Sequence, residues 1–109
     1  MNFEIIATHF FVKELKKLSK KYSSLKEDVF ALLNELRNNP KIGEPIGKDC
    51  YKIRLAITSK NKGKSGGARV ITFLYTAKSA LLLLGIYDKS KQETIKDNEI
   101  KTRIDEMLE

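Results

Sequence analysis

Cysteine, histidine and tryptophan are nearly missing from this chain: 109 residues hold one Cys (Cys50), one His (His9) and no Trp. A lone cysteine excludes an internal disulfide, and Cys50 with His9 supplies no zinc-type ligand set, so neither metal nor cofactor is expected. A single histidine also rules out catalysis by a pair of imidazoles. Long apolar runs are absent as well. Residues 80–87 form the longest, eight residues with Gly85 included, against about 18 for a membrane span. Residues 1–11 carry Glu4 and lack a basic start followed by an apolar core, so a cytoplasmic protein without a secretory leader is expected.

What is present is charge, unevenly spread. The chain is 32% charged and 41% hydrophobic with a formal net charge of +7, a balance typical of globular proteins. One domain over residues 1–109 would bury about two thirds of its unfolded surface. Residues 48–69 hold seven Lys/Arg (Lys48, Lys52, Arg54, Lys60, Lys62, Lys64 and Arg69) against one acid, Asp49, which is +6 of the +7. The natural complement of such a cluster is a polyphosphate backbone. Residues 93–109 reverse the sign, with six acids against three bases.

Patterning arranges scaffold around that cluster. Residues 3–8 read as a short strand, and Thr8 can cap the helix that follows. Phe11, Leu15, Leu18 and Tyr22 fall on one helical stripe, with Lys13, Lys16, Lys17, Lys20 and Lys21 over the rest. That basic face suits nucleic acid or a membrane surface, or is simply solvated. Ser24 and Glu27 have capping-box spacing before a second helix carrying Leu25, Val29, Leu32, Leu33 and Leu36. Asn38-Asn39-Pro40 ends it, and the short join between the two helices implies an antiparallel hairpin. Both prolines fall in residues 40–49, read as an irregular connection. Tyr51, Ile53, Leu55 and Ile57 alternate with Lys52, Arg54, Ala56 and Thr58, the period of a half-buried strand. Residues 59–67 read as a mobile loop, and residues 69–76 and 80–88 as interior strands of an antiparallel meander. Asp97 or Asn98 can cap a last helix with Ile100, Ile104, Met107 and Leu108 inward. The order β-α-α-β-β-β-α describes an α+β fold: an antiparallel sheet packed against an N-terminal helical hairpin, with a C-terminal helix.

Alternation puts Lys52 and Arg54 on one strand face, about 7 Å apart. Leu83, Gly85, Tyr87 and Lys89 read as sharing a face of the last strand, where Gly85 would let a ligand lie against the sheet. If the two faces adjoin, they make a groove floored by backbone and rimmed by cations. Such a groove suits cleavage of RNA by its own 2′-hydroxyl, or RNA binding without cleavage. A lysine crowded by cations gives up its proton more readily, a part Lys52 can fill beside Arg54 and Arg69. The two arginines would hold the phosphate bidentately, and Lys89 or Tyr87 would donate a proton or stack a base. Lys52 and Arg69 are expected to be exposed. Lys60, Lys62 and Lys64, flanked by Lys48 and Lys91, can grip RNA phosphates or merely solubilise a turn. His9 reads as a capping or packing residue, Cys50 as a small core residue, and Phe73 and Tyr75 as core.

Three short runs, residues 50–55 (CYKIRL), 66–71 (GGARVI) and 86–90 (IYDKS), resemble the RelE/ParE superfamily of bacterial toxins in its RelE/HigB-like branch. Their order and spacing, with the element order above, extend the resemblance over nearly the whole chain. It implies a compact toxin neutralised by a cognate antitoxin protein encoded beside it, with higher-order complexes on operator DNA. RelE-type members cut mRNA in the ribosomal A site without a metal, whereas ParE-type members poison DNA gyrase. By the same resemblance Lys52 matches a general-base lysine, Arg54 replaces a second lysine, and Arg69 matches a phosphate-stabilising arginine. Lys89 replaces an arginine acid, and Ile95 stands where a tyrosine is usual, leaving Tyr87 to compensate. The resemblance also implies a last helix displaced on antitoxin binding.

Overall fold

The computed structural model describes residues 3–61, 63–92 and 94–109. Its elements run β1 (Glu4–Ala7), α1 (His9–Ser19), α2 (Leu25–Asn38), β2 (Glu44–Gly47), β3 (Cys50–Leu55), β4 (Ala68–Tyr75), β5 (Ala80–Asp88) and α3 (Asp97–Leu108). The five strands form one sheet in the order β1-β5-β4-β3-β2. The fold is α+β, as its residue patterning implies.

The sheet is antiparallel except at one edge, where β1 runs parallel to β5 with Ile5 opposite Leu81. Between these two strands the chain builds the α1–α2 hairpin and the strands β2 to β4, so β5 comes back to lie beside β1. β2 corrects the reading of residues 40–49 as irregular. It pairs antiparallel with β3, placing Glu44 opposite Lys52 and Pro45 opposite Tyr51, with a bulge before Gly47. Lys48 and Asp49 join the two strands, both with positive φ (54° and 63°), the backbone of a two-residue hairpin turn. Proline is tolerated because β2 is an edge strand.

Two apolar cores lie on opposite faces of this sheet. Phe11, Leu25, Val29, Leu32 and Leu36 of α1 and α2 pack on Ile53, Val70, Leu81, Leu83 and Ile86. Ile100 of α3, with Ile104 and Met107 at its margin, packs on Cys50, Ile71, Leu82, Leu84 and Tyr87. Leu108 is exposed instead, because α3 ends there. Phe73 and Tyr75 lie half-buried at the rim of this second core, their rings stacked 5.8 Å apart.

The helix ends hold two surprises. Thr8 caps α1 as expected, accepting from Phe11 N, and its hydroxyl also donates to the Leu83 carbonyl at 2.7 Å. Ser24 forms no capping box: its hydroxyl donates to Asp28 and accepts from Ser59 N, each at 2.8 Å. Lys96, not Asp97 or Asn98, precedes α3, and no side chain caps that helix.

The open stretch of the β5 edge is sealed by an ion pair. Beyond Leu83, β1 has ended and β5 carries an irregularity opposite Ile71 and Thr72. Glu14 of α1 accepts from Ile86 N at 3.2 Å, and Arg103 of α3 donates to the Leu84 carbonyl at 2.8 Å. Arg103 and Glu14 pair bidentately at 2.9 Å. Exposed strand edges otherwise recruit other strands. No helix among the described residues is long and apolar enough to cross a membrane.

Candidate nucleic-acid interface

The register of β3, β4 and β5 fixes where the expected site residues stand. Arg54, Arg69 and Tyr87 form one row across the sheet, and Lys52, Ile71 and Gly85 the next. β4 lies between the cationic strand β3 and Tyr87 of β5, so the two do not adjoin directly and Arg69 stands between them. The irregularity in β5, however, puts Leu83 in the hairpin-side core and Tyr87 in the α3-side core. Leu83 and Tyr87 do not share a face.

Gly85 does not floor a ligand site. A methyl group there would collide with the Arg103 guanidinium and the Glu14 carboxylate. The missing side chain makes room for the edge-sealing pair.

Arg69 corrects the expectation of exposure most sharply. It is 4% exposed, and its guanidinium donates to the carbonyls of Lys64 (2.8 Å), Ala68 (3.1 Å) and Ser65 (3.5 Å). An arginine has five donors in a fixed fork, and here the fork clamps the basic loop to β4. Tyr87 is also buried. Burial raises its phenol above the ordinary value, opposed by Thr94 and by the charge of Arg69.

The start of the basic loop is likewise anchored rather than mobile. Thr58–Lys60 forms a 3₁₀ turn, whose Thr58 amide (3.0 Å) and hydroxyl (2.6 Å) both donate to Asp28. Lys60 does not reach for solvent. Its side chain is 10% exposed and pairs with Asp88 at 3.1 Å. Asp88 also accepts from the Tyr22 hydroxyl and from the amide and hydroxyl of Ser90. Burial alone would raise this carboxyl, but the bonds from Tyr22, Ser90 and Lys60 outweigh it and hold Asp88 well below the usual carboxylate range.

Three other cations of the cluster share one hollow, the candidate site. Lys52, Arg54 and Lys64 line a hollow of about 290 Å³ beside the β2–β3 edge, together with Gly43 and Glu44. Lys52 is half-buried, while Arg54, Lys64 and Glu44 are exposed. No ion pair engages any of these four among the described residues. Gly43 permits the close approach: its φ is +109°, and a Cβ would sit 2.7 Å from the Lys52 carbonyl oxygen. Glu44 is the residue that sequence reasoning missed. Its signal was Pro45 and the flanking glycines, which read as a loop and hid a strand.

The remaining candidates lie around this hollow or away from it. Lys89 is half-buried, its amide bonded to the Gly67 carbonyl at 3.0 Å, so it stands at the end of the loop. Lys48 is exposed at the β2–β3 turn and borders a different hollow, under α3. Lys91 is exposed after β5. Lys62 lies outside the described residues. Cys50 is 3% exposed, and burial pushes its thiol up to about 11, so it behaves as a small apolar residue. His9 caps nothing. It lies in the exposed first turn of α1, 4.0 Å from the Phe10 ring and 3.3 Å from Glu106. Among the described residues no group of three or more His, Cys, Asp or Glu could hold a metal ion.

The overall fold, not the hollow, is shared with solved RelE structures. The free E. coli toxin RelE, solved as a double arginine-to-alanine mutant, superposes with a TM-score of 0.65 at 20% identity, over 100% of both chains. The E. coli RelBE toxin–antitoxin complex matches at 0.61 and 24% identity, over 79% of this chain and 95% of that one. Isolated E. coli RelE gives 0.62 at 19% identity, over 96% and 98%. At these identities the likeness establishes a RelE-like fold. No family model matches the sequence.

Proposed function

We propose that this chain is the toxin of a type II toxin–antitoxin pair, a metal-independent endoribonuclease that cuts mRNA on the ribosome and so stops translation in the cytoplasm. The observation that carries this reading is the hollow itself. Three cations that no ion pair engages among the described residues, Lys52, Arg54 and Lys64, surround a space that also receives a carboxylate, Glu44, equally unengaged there.

That set matches the demands of 2′-hydroxyl attack. The 2′-oxygen bonds to phosphorus as its proton passes to a base, and the bond from phosphorus to the 5′-oxygen breaks as that oxygen takes a proton. The products are a 2′,3′-cyclic phosphate and a 5′-hydroxyl. Glu44, opposite Lys52, accepts the first proton. Lys52 and Arg54 neutralise the extra charge on the five-coordinate phosphorus, the largest single term in such reactions. Lys64 grips a neighbouring phosphate, and Lys89, at the end of the loop, supplies the proton to the leaving oxygen. Arg69 acts through the loop it clamps, not on the substrate. A cognate antitoxin is the expected partner, as RelB is for RelE in the solved complex.

Inducing the chain without its antitoxin should arrest growth and produce transcripts with new 5′-hydroxyl ends. Lys52→Ala and Glu44→Gln should each remove the cleavage while leaving the protein folded. Growth arrest with intact transcripts would sink the proposal, and trapped gyrase–DNA breaks would redirect it to gyrase. Folded protein that binds RNA and leaves growth untouched would reduce it to a binding module.

A further inference from the structure

We infer that Asp88 and Ser90 form a positioning device for the leaving-group step: they close a turn around Lys89 and fix the backbone from which its ammonium reaches the substrate. The inference deepens the ribonuclease reading above and rests on it, because Lys89 is there the group that gives the leaving 5′-oxygen its proton. As the bond from phosphorus to that oxygen breaks, the electron pair stays on oxygen, the proton comes from the Lys89 ammonium, and a neutral amine is left behind.

A lysine ammonium rides on a flexible four-carbon stem, so what a fold controls is the backbone that carries it. At Lys89 that backbone is held on both sides. The Asp88 carboxylate accepts from the Ser90 amide at 3.0 Å, two residues on, which makes an Asx turn with Lys89 at its centre. The Ser90 hydroxyl adds a second bond to the same oxygen at 2.7 Å, and the Asp88 carbonyl accepts from the amides of Lys91 (3.0 Å) and Gln92 (3.2 Å). From the other side the Lys89 amide donates to the Gly67 carbonyl at 3.0 Å. Gly67 in turn lies hard against the end of β3, where a Cβ on it would collide with the Leu55 carbonyl oxygen. Leu55 follows Arg54, which lines the hollow. Lys89 is thereby tied to the strand that carries Lys52 and Arg54.

The turn is itself anchored. The Asp88 side chain is 2% exposed and also takes the Tyr22 hydroxyl and the Lys60 ammonium, while Lys60 reaches the Ser90 hydroxyl at 3.2 Å. Those bonds hold the carboxyl well below its usual range, so the charged acceptor for Ser90 is present throughout neutral pH. Ser90 is exposed and can be changed without removing either member of the buried Asp88–Lys60 pair. The turn can therefore be broken apart from the core that supports it.

The full chain is tested on ribosomes programmed with two mRNAs, one with the ordinary scissile linkage and one whose bridging 5′-oxygen is replaced by sulfur. A thiolate leaves without needing a proton, so an impaired donor is felt only on the first. Ser90→Pro, which removes the amide the turn depends on, should lower kcat on the oxygen linkage about 30-fold with KM within about twofold, and on the sulfur linkage less than about threefold. Ser90→Ala keeps the amide and should show a smaller preference of the same sign, about threefold. Lys89→Ala should show the full preference. Asp88→Asn keeps an oxygen for the Ser90 amide and should stay within about threefold of the parent on both linkages. Tyr22→Phe takes a bond from the other carboxylate oxygen and should slow both linkages equally. Hydrogen exchange at the Lys89 amide should quicken at least about tenfold in Ser90→Pro, with circular dichroism confirming the fold. Equal slowing of both linkages by Ser90→Pro, a sulfur preference as large in Tyr22→Phe, or an unchanged Lys89 amide would each overturn the positioning role. A parent chain that cuts neither linkage would bring down the ribonuclease reading and this inference with it. A parent that cuts both, while Ser90→Pro shows no preference, would bring down this inference alone.

Discussion

Arg54 and Arg69 stand opposite each other across β3 and β4, yet they do different work. Arg54 is exposed beside a hollow, and no ion pair among the described residues engages it. Arg69 is buried, with its guanidinium committed to three carbonyls, two of them in the basic loop. The same division runs through the lysines, Lys64 facing the hollow and Lys60 locked to Asp88. Two cations of the cluster, Lys60 and Arg69, thus anchor the loop, and three, Lys52, Arg54 and Lys64, line the hollow. A buried cation with satisfied donors is scaffold, and an exposed one without a partner is available to a phosphate.

Variants at the two kinds of position should separate stability from activity, most widely at Asp88. Asp88→Ala strands Lys60 and the Tyr22 hydroxyl in a buried setting and should cost about 3 kcal/mol in urea unfolding, the usual penalty for breaking a buried pair from one side. Lys52→Ala should stay within about 0.5 kcal/mol of the parent while lowering cleavage at least about 100-fold. If Asp88→Ala matched Lys52→Ala in stability, the division between scaffold and ligand-facing cations would collapse. The pH dependence has a definite sign. The Asp88 carboxyl titrates lower in the folded chain than its ordinary 3.8. Its contribution is therefore complete above about pH 4 and lost as pH falls through the folded value. Asp88→Asn should flatten the acid limb of the stability profile, and an unchanged limb would show that another carboxylate dominates it.

The arginines should differ less. Arg69→Ala removes three hydrogen bonds, two of them to loop carbonyls, and should cost about 2 kcal/mol, with binding falling because the loop loosens. Arg54→Ala should leave the unfolding midpoint in place and reduce the salt slope of RNA binding by about 1. Exchanged outcomes would mean that Arg69 is the residue meeting the phosphate.

The sequence displayed the charge cluster, the two helices of the hairpin, the three-strand meander and the partnering of Lys52 with Arg54, because strict alternation and one-face stripes record which side is buried. It hid what depends on contacts distant in sequence. β2 was masked by Pro45 and by glycines on either side, which resemble a loop until β3 supplies the other half of the ladder. The fate of Arg69 could not be read from its neighbours either, since two of its acceptors are the loop carbonyls of Lys64 and Ser65, whose direction the residue pattern does not record. Gly85 was legible as a place where a side chain is excluded. Only the fold reveals that Arg103, eighteen residues on, is what excludes it.

The smallest expected effect lies on α3, which one ion pair and one histidine–carboxylate contact join to α1. Arg103–Glu14 is bidentate, with side chains 12% and 30% exposed, whereas His9–Glu106 is 61% and 52% exposed at 3.3 Å. An exposed pair is screened and costs side-chain entropy to hold, so His9→Ala should change stability by less than about 0.5 kcal/mol. Hydrogen exchange distinguishes the pairs more finely than unfolding does. The Ile86 amide donates to Glu14, so Glu14→Ala should speed its exchange locally, while His9→Ala should leave it unchanged. If both variants sped Ile86 exchange equally, α3 would be held as a unit by its surface contacts, and the sealed strand edge would be a consequence of docking rather than its cause.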